Sequence, residues 1–191
     1  KIIVRSICAL IVGSGIGIAV PTFAQTPAIT LTSPSGVLHA GEEIPVLVQT
    51  TSFGSALNAV DVTLRYNPAL TQVLRVEKSA SALTLWPDEP TIDASVGIVQ
   101  FAGGRPGGFV ALDATLVTVV LVPVSGGSVD VTVDTALSRV YRNDGVGTAD
   151  PVVSSPLTLT IADALVGALA LTSLTHPTSS FWSQTGTITV S

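Results

Sequence analysis

Cysteine is almost missing from this chain: Cys8, inside an apolar N-terminal run, is the only one in 191 residues. A disulfide framework is therefore excluded, although an oxidising compartment is not. Charged residues make up 11% and aromatics 5%, so long helices built on Glu and Lys are not available. No stretch keeps a sustained 3.6-residue period, which argues against an α/β protein. Clusters of Lys or Arg interleaved with aromatics are also missing. With a formal net charge of −5, the surface should repel nucleic acid and anionic membrane.

The groups that carry catalysis are equally sparse. The two histidines, His39 and His176, lie far apart, and neither is accompanied by the three or four closely spaced ligands of a metal site. His39 reads as a solvated loop residue and His176 as part of a turn before Pro177. Asp88 and Glu89 are paired carboxylates, but adjacent residues in a Pro-rich stretch do not describe two carboxyls facing each other across a cleft. GGRPGG lacks the GK[ST] ending of a phosphate loop. No enzyme is expected. Asp144 and Asp150 are the best oxygen cluster for calcium, yet DGVGTAD lacks the repeated acidic spacing that ion favours, and an Asx-Gly turn is the better reading. The expected cofactor list is empty, with calcium as the weak exception.

What is present is valine, threonine, glycine and proline, in short alternating runs. Branched Cβ atoms pack well on a pleated surface. LNAVDVTLRYNPAL, Leu57 to Leu70, shows the pattern best: Val60, Val62, Leu64 and Tyr66 alternate with Asp61, Thr63 and Arg65. A period of two marks a strand with one buried and one wet face, and Asn67-Pro68 ends it. Further strands are expected at Ala28–Thr32, Ile44–Thr51, Gln72–Lys78, Val96–Phe101, Ala114–Val124, Ser128–Asp134, Ala136–Tyr141 and Leu157–Ile161. Pro45 places the beginning of its strand at an edge or a strand start. Apolar residues on both parities of ATLVTVVLVPV mark a central strand. Ser125-Gly126-Gly127 suggests a hairpin to the next strand. Ser79–Pro90 reads as an irregular connection and Ala102–Gly108 as a loop. About nine short strands between Ala28 and Ile161 predict an all-β, two-sheet jelly-roll sandwich.

Lys1 and Arg5 precede the apolar run Ser6–Val20, and PTFAQT follows. This is a secretory signal pattern over residues 1–24, with cleavage expected after Ala24 and Ala19 as a poorer site. An uncleaved anchor, for which the run is short, and a buried strand pair are the alternatives. Removing the segment takes away two bases and no acid, which makes the remainder more acidic. Extracellular or bacterial cell-surface localisation follows.

GEEIPVLVQ at Gly41–Gln49, AVDVTLRYNPALTQVLRV at Ala59–Val76, VGIVQFAGG at Val96–Gly104, ATLVTVVLVPVSGGSVDVTV at Ala114–Val133 and SRVYRNDGVG at Ser138–Gly147 together resemble a bacterial cohesin-like domain. The final LTLTI fits as well. The order and spacing of the pieces carry the resemblance. It implies a nine-stranded jelly roll over residues 28–161 that displays one sheet face to a protein partner, which in cellulosomal members is a calcium-binding dockerin. The same broad fold is shared with carbohydrate-binding modules. GRPGGFVALD departs from the cellulosomal type, where a shorter turn is usual, and no dockerin-type calcium repeat occurs in this chain. After a linker at 162–170, Leu171–Ser191 resembles the start of an immunoglobulin-like or fibronectin-like bacterial surface repeat, here as the first strand of a truncated following domain.

Two functions are expected from these readings. One is a non-catalytic extracellular or surface module that mediates protein–protein contact. The alternative is a carbohydrate-binding module of a polysaccharide-associated protein. Asp61, Thr63 and Arg65, outward on the central stretch, and Trp86, in a loop, are the candidate recognition residues. Tyr66 and Phe101 are expected in the core. A sugar platform needs a row of exposed rings, and the scarcity of aromatics favours the protein partner.

Overall fold

The computed structural model describes residues 25–165. The proposed signal segment and the tail Leu171–Ser191 lie outside them. The described residues hold twelve strands: β1 Ala28–Thr32, β2 Leu38–His39, β3 Ile44–Thr51, β4 Ala56–Tyr66, β5 Thr71–Glu77, β6 Leu85–Asp93, β7 Ile98–Val110, β8 Ala114–Pro123, β9 Gly127–Val133, β10 Arg139–Arg142, β11 Ala149–Pro151 and β12 Leu157–Ala162. They form two packed sheets, one of four strands in the order β1-β3-β8-β5 and one of eight. In the larger sheet β4 is the hub. β7 runs along one of its sides, while β9 and β10 share the other, pairing with Leu64–Tyr66 and Leu57–Asp61 respectively.

The alternation read from the sequence sets the layers. Val60, Val62 and Leu64 of β4, Val99 and Phe101 of β7, Val46 and Val48 of β3, and Val117, Val119 and Leu121 of β8 are buried in one core. Tyr66 and Phe101 are core residues, as expected. β8 is central, between β3 and β5, and Val120 on its outer face is also buried, flanked in register by Pro45 and Arg75. Pro45 sits at the start of β3, beyond Thr32↔Leu47, the last pair made by β1, so its missing N–H costs no ladder bond there.

Four local expectations are corrected. Ser79–Pro90 is not wholly irregular, because Leu85–Asp93 is an edge strand on β7 whose register breaks around Pro87 and Pro90. Ala102–Gly108 is only partly a loop: Ala102–Gly104 continue the β7 ladder, with Gly103 opposite Val60 and Gly104 opposite Ala59, whereas Arg105–Gly108 bulge out between Gly104 and Phe109, with Gly107 and Gly108 at positive φ. β8 and β9 do not form a hairpin, since the Ser125–Gly126 turn carries the chain from one sheet to the other. The strand expected from Ala136 begins at Arg139, because Thr135–Leu137 form a turn in which Asp134 accepts the N–H groups of Ala136 and Leu137.

Candidate functional site

The outer face of the eight-stranded sheet carries a groove of about 510 Å³. Its floor is made of small residues on the central strands, Ala59 of β4 and Ala102 and Gly104 of β7. A side chain at Gly104 would meet the Asn58 carbonyl at 2.9 Å, so the floor cannot easily be raised. Leu85, Pro87 and Asp88 of the edge strand form one wall; Tyr141 and Asn143 form the other. Asn143 Nδ2 donates to the Gly107 carbonyl (3.0 Å), tying this wall to the extended end of β7. A second hollow of about 310 Å³ continues the groove past Glu89, Thr91 and Gln100, and the two share Asp61, Asp88 and Ala102.

Asp61 lies in the middle of this face. In register it stands between Arg139 of β10 and Ala102 of β7, and Asp88 of β6 is the next residue across. Partial burial pushes its carboxyl above the usual range, the charge of Asp88 pushes the same way, and Arg139 opposes both. A carboxylate held short of counter-charge in a concave site is a candidate for binding a cation.

The four residues singled out from sequence do not form one cluster. Arg65 is on the outer face but is paired with Asp134 (Nε–Oδ2 2.7 Å), and that bond lowers the Asp134 carboxyl. Thr63 faces outward by parity, yet it is buried, and its hydroxyl accepts from Gln100 Nε2 (3.3 Å). The reading of Thr63 as an open contact is thus corrected: the long neighbouring side chain lies over the short one. Trp86 packs on the core side of β6, tilted against Phe101 with ring centroids 6.2 Å apart. Gly103 makes this fit, since a Cβ there would lie 2.6 Å from Leu83 Cδ1 and 3.3 Å from the indole. Lys78 Nζ stands 5.0 Å over the ring and also pairs with Glu89.

Asp88, Arg139 and Tyr141 were missed as site residues. The alternation Arg139-Val140-Tyr141 with a buried valine carried part of the signal, but the pairing of β10 with β4 rests on contacts distant in sequence. The Asp144 carboxylate accepts the N–H groups of Val146, Gly147 and Thr148 and the Thr148 hydroxyl, which brings it down to about 2. Asp150 pairs with Arg142. His39 is half-buried, and its Nδ1 lies 3.0 Å from the Asp163 carbonyl.

No family model and no curated protein matches the chain. Solved structures do match its fold. A cohesin module of a family 33 glycoside hydrolase from Clostridium perfringens has a TM-score of 0.60 at 12% identity, covering 72% of this chain and 98% of that one. The non-cellulosomal cohesin of the archaeon Archaeoglobus fulgidus has a TM-score of 0.56 at 18% identity, with 72% and 92% covered. A chain of a type I cohesin–dockerin complex from Clostridium thermocellum has a TM-score of 0.59 at 12% identity, with 75% and 98% covered. The described sandwich is cohesin-like in fold.

Proposed function

We propose that this domain is a non-catalytic extracellular or cell-surface module that binds a protein partner on the outer face of its larger sheet. The observation that carries the reading is the groove around Asp61, where a floor of Ala and Gly lets another chain approach the backbone and Asp61 and Asp88 offer negative charge. The partner segment that fits is a ridge of small residues bearing a lysine or arginine, whose cation enters between the two carboxylates. A cohesin-like fold, matched among others by a cohesin–dockerin complex, supports dockerin modules as the first partners to try. Arg65 and Arg139, at the margins of the same face, steer the acidic residues of such a partner.

Titration calorimetry of the chain against a panel of dockerin modules and a panel of polysaccharides tests this. Binding of a dockerin that is lost on Asp61→Lys and weakened on Asp88→Asn is the expected result. Polysaccharide binding that survives Asp61→Lys and is lost on Tyr141→Ala, with no dockerin bound, would overturn it in favour of a carbohydrate-binding module.

A further inference from the structure

β1, an edge of the four-stranded sheet, differs from the other strand edges among the described residues. β6 carries Pro87 and Pro90 with Asp88, Glu89 and Asp93. β5 carries Arg75 and Glu77 and a register break between Val73 and Arg75. β11 is three residues ending in Pro151, and β2 is only two residues. Charge, proline, irregular register and shortness are the means by which natural sheets keep edges from pairing. β1, Ala-Ile-Thr-Leu-Thr, has neither charge nor proline, and its register with β3 is unbroken from Ala28↔Thr51 to Thr32↔Leu47.

Among the described residues, the hydrogen-bonding side of β1 is only half covered. The Ile29 N–H donates away from β3, to the Val153 carbonyl (2.9 Å), and Val153 N–H returns to the Pro27 carbonyl (3.0 Å). Peptide groups alternate in direction along a strand, so Leu31 turns its N–H and C=O outward as well. Val153 covers the strand only at Ala28. Beyond it lies a groove of about 260 Å³ between Ile29–Leu31 and Ser154–Pro156.

We propose that this edge pairs with β1 of a second copy, antiparallel, about a two-fold axis at Leu31. The sequence around that axis is self-complementary. Thr30-Leu31-Thr32 reads the same in both directions, so Leu31 meets Leu31 and each Thr30 meets the other copy's Thr32. Thr30 and Thr32 are exposed, and Thr–Thr cross-strand pairs are favourable. The ends match too. In this register Ala28, already covered by Val153, lies opposite Pro34 of the second copy, where that strand has ended. Pairing joins the two small sheets edge to edge and leaves the outer face of each larger sheet open. The product is a two-fold module with two partner grooves, which raises avidity for a multivalent partner.

Sedimentation velocity over a concentration series tests this with the 191-residue chain. The wild type is expected to show a reversible monomer–dimer equilibrium. Thr30→Lys/Thr32→Lys places like charges directly opposite each other and should weaken the dimer about fivefold or more, as should Thr30→Glu/Thr32→Glu. Mixing the Lys and Glu variants should restore a heterodimer, which a contact away from the β1 edge would not explain. A wild type that stays monomeric, variants that dimerise as well as the wild type, or a mixture that does not pair would each overturn the proposal.

Discussion

Asp61 is a residue whose stability and binding roles oppose each other. Burial and Asp88 raise its carboxyl in the folded domain, so the ionised form is less favourable there than in the unfolded chain. The sign follows: this group subtracts from stability once pH has risen through its folded value. Asp61→Asn is therefore expected to raise stability at pH 7, by less than about 1 kcal/mol because solvent screens a half-exposed pair. The same change should weaken binding of the proposed cationic partner. Urea denaturation read alongside calorimetric affinity checks both, and a destabilised Asn variant would refute the account of its environment. Tyr66 offers a second test. Its hydroxyl is buried with no hydrogen-bond partner among the described residues. Tyr66→Phe removes that unsatisfied group and keeps the ring, so denaturant stability should be unchanged or slightly higher. A loss above about 1 kcal/mol would mean that the hydroxyl is satisfied in solution.

The strands show which signals a sequence carries. β4 and β9 were legible because one face of each is buried by valines at period two. β6 was not: most of its residues are exposed, its prolines interrupt the ladder, and its pairing with β7 is all that makes it a strand. The glycine-rich end of β7 looked like a loop because glycine is a turn residue, yet Gly103 and Gly104 are there for close packing against Trp86, Leu83 and Asn58. The junction of β9 and β10 shows how an interruption is tolerated. The chain leaves β4 between Val133 and Arg139, and Thr63 would lose its ladder partners there. Asp134 N–H supplies the Thr63 carbonyl (2.8 Å), and Ser138 Oγ accepts the Thr63 N–H (3.0 Å). Ser138 is fully buried, so Ser138→Ala strands a buried N–H and should cost about 1–3 kcal/mol. Chemical denaturation checks this, and Ser138→Thr, which keeps the acceptor, should fall closer to wild type unless its methyl overpacks. Gly97, where β7 is entered, is stricter. Its φ is +71°, and a Cβ would lie 2.1 Å from the Tyr66 carbonyl oxygen. Gly97→Ala combines a left-handed backbone penalty with backbone overlap and should cost about 2 kcal/mol or more; a neutral alanine variant would show that the turn can rearrange.

For the whole molecule, the sandwich was legible and the site only partly so, for one physical reason. Strand faces are local properties of alternation, whereas a binding face is assembled by register between distant strands: Asp61 and Arg65 were found on β4, but Asp88 and Arg139 reach Asp61 only through pairings with β7 and β10. The same distribution of carboxylates sets the acid limit of the fold. Asp144 is held at about 2 by the Thr148 hydroxyl and by three backbone N–H groups. Asp134 is lowered chiefly by Arg65, and Asp93 by the Ser95 hydroxyl and N–H groups. Groups lowered in the folded state bind protons more weakly there than in the unfolded chain. Their stabilisation is complete above the unfolded value of 3.8 and is lost as pH falls through the folded values, for Asp144 between 3.8 and about 2. Asp61 runs the other way: its penalty is relieved as pH falls through its raised folded value toward 3.8, just above that window. Urea midpoints followed by tryptophan fluorescence should thus stay nearly level from pH 7 to about 4 and fall steeply below it. Asp144→Ala should lower the midpoint at pH 7 and flatten the descent below pH 4, because the proton-linked part of its contribution has been removed. A descent that begins well above pH 5, or one of unchanged slope in the Asp144→Ala chain, would assign acid unfolding to other groups.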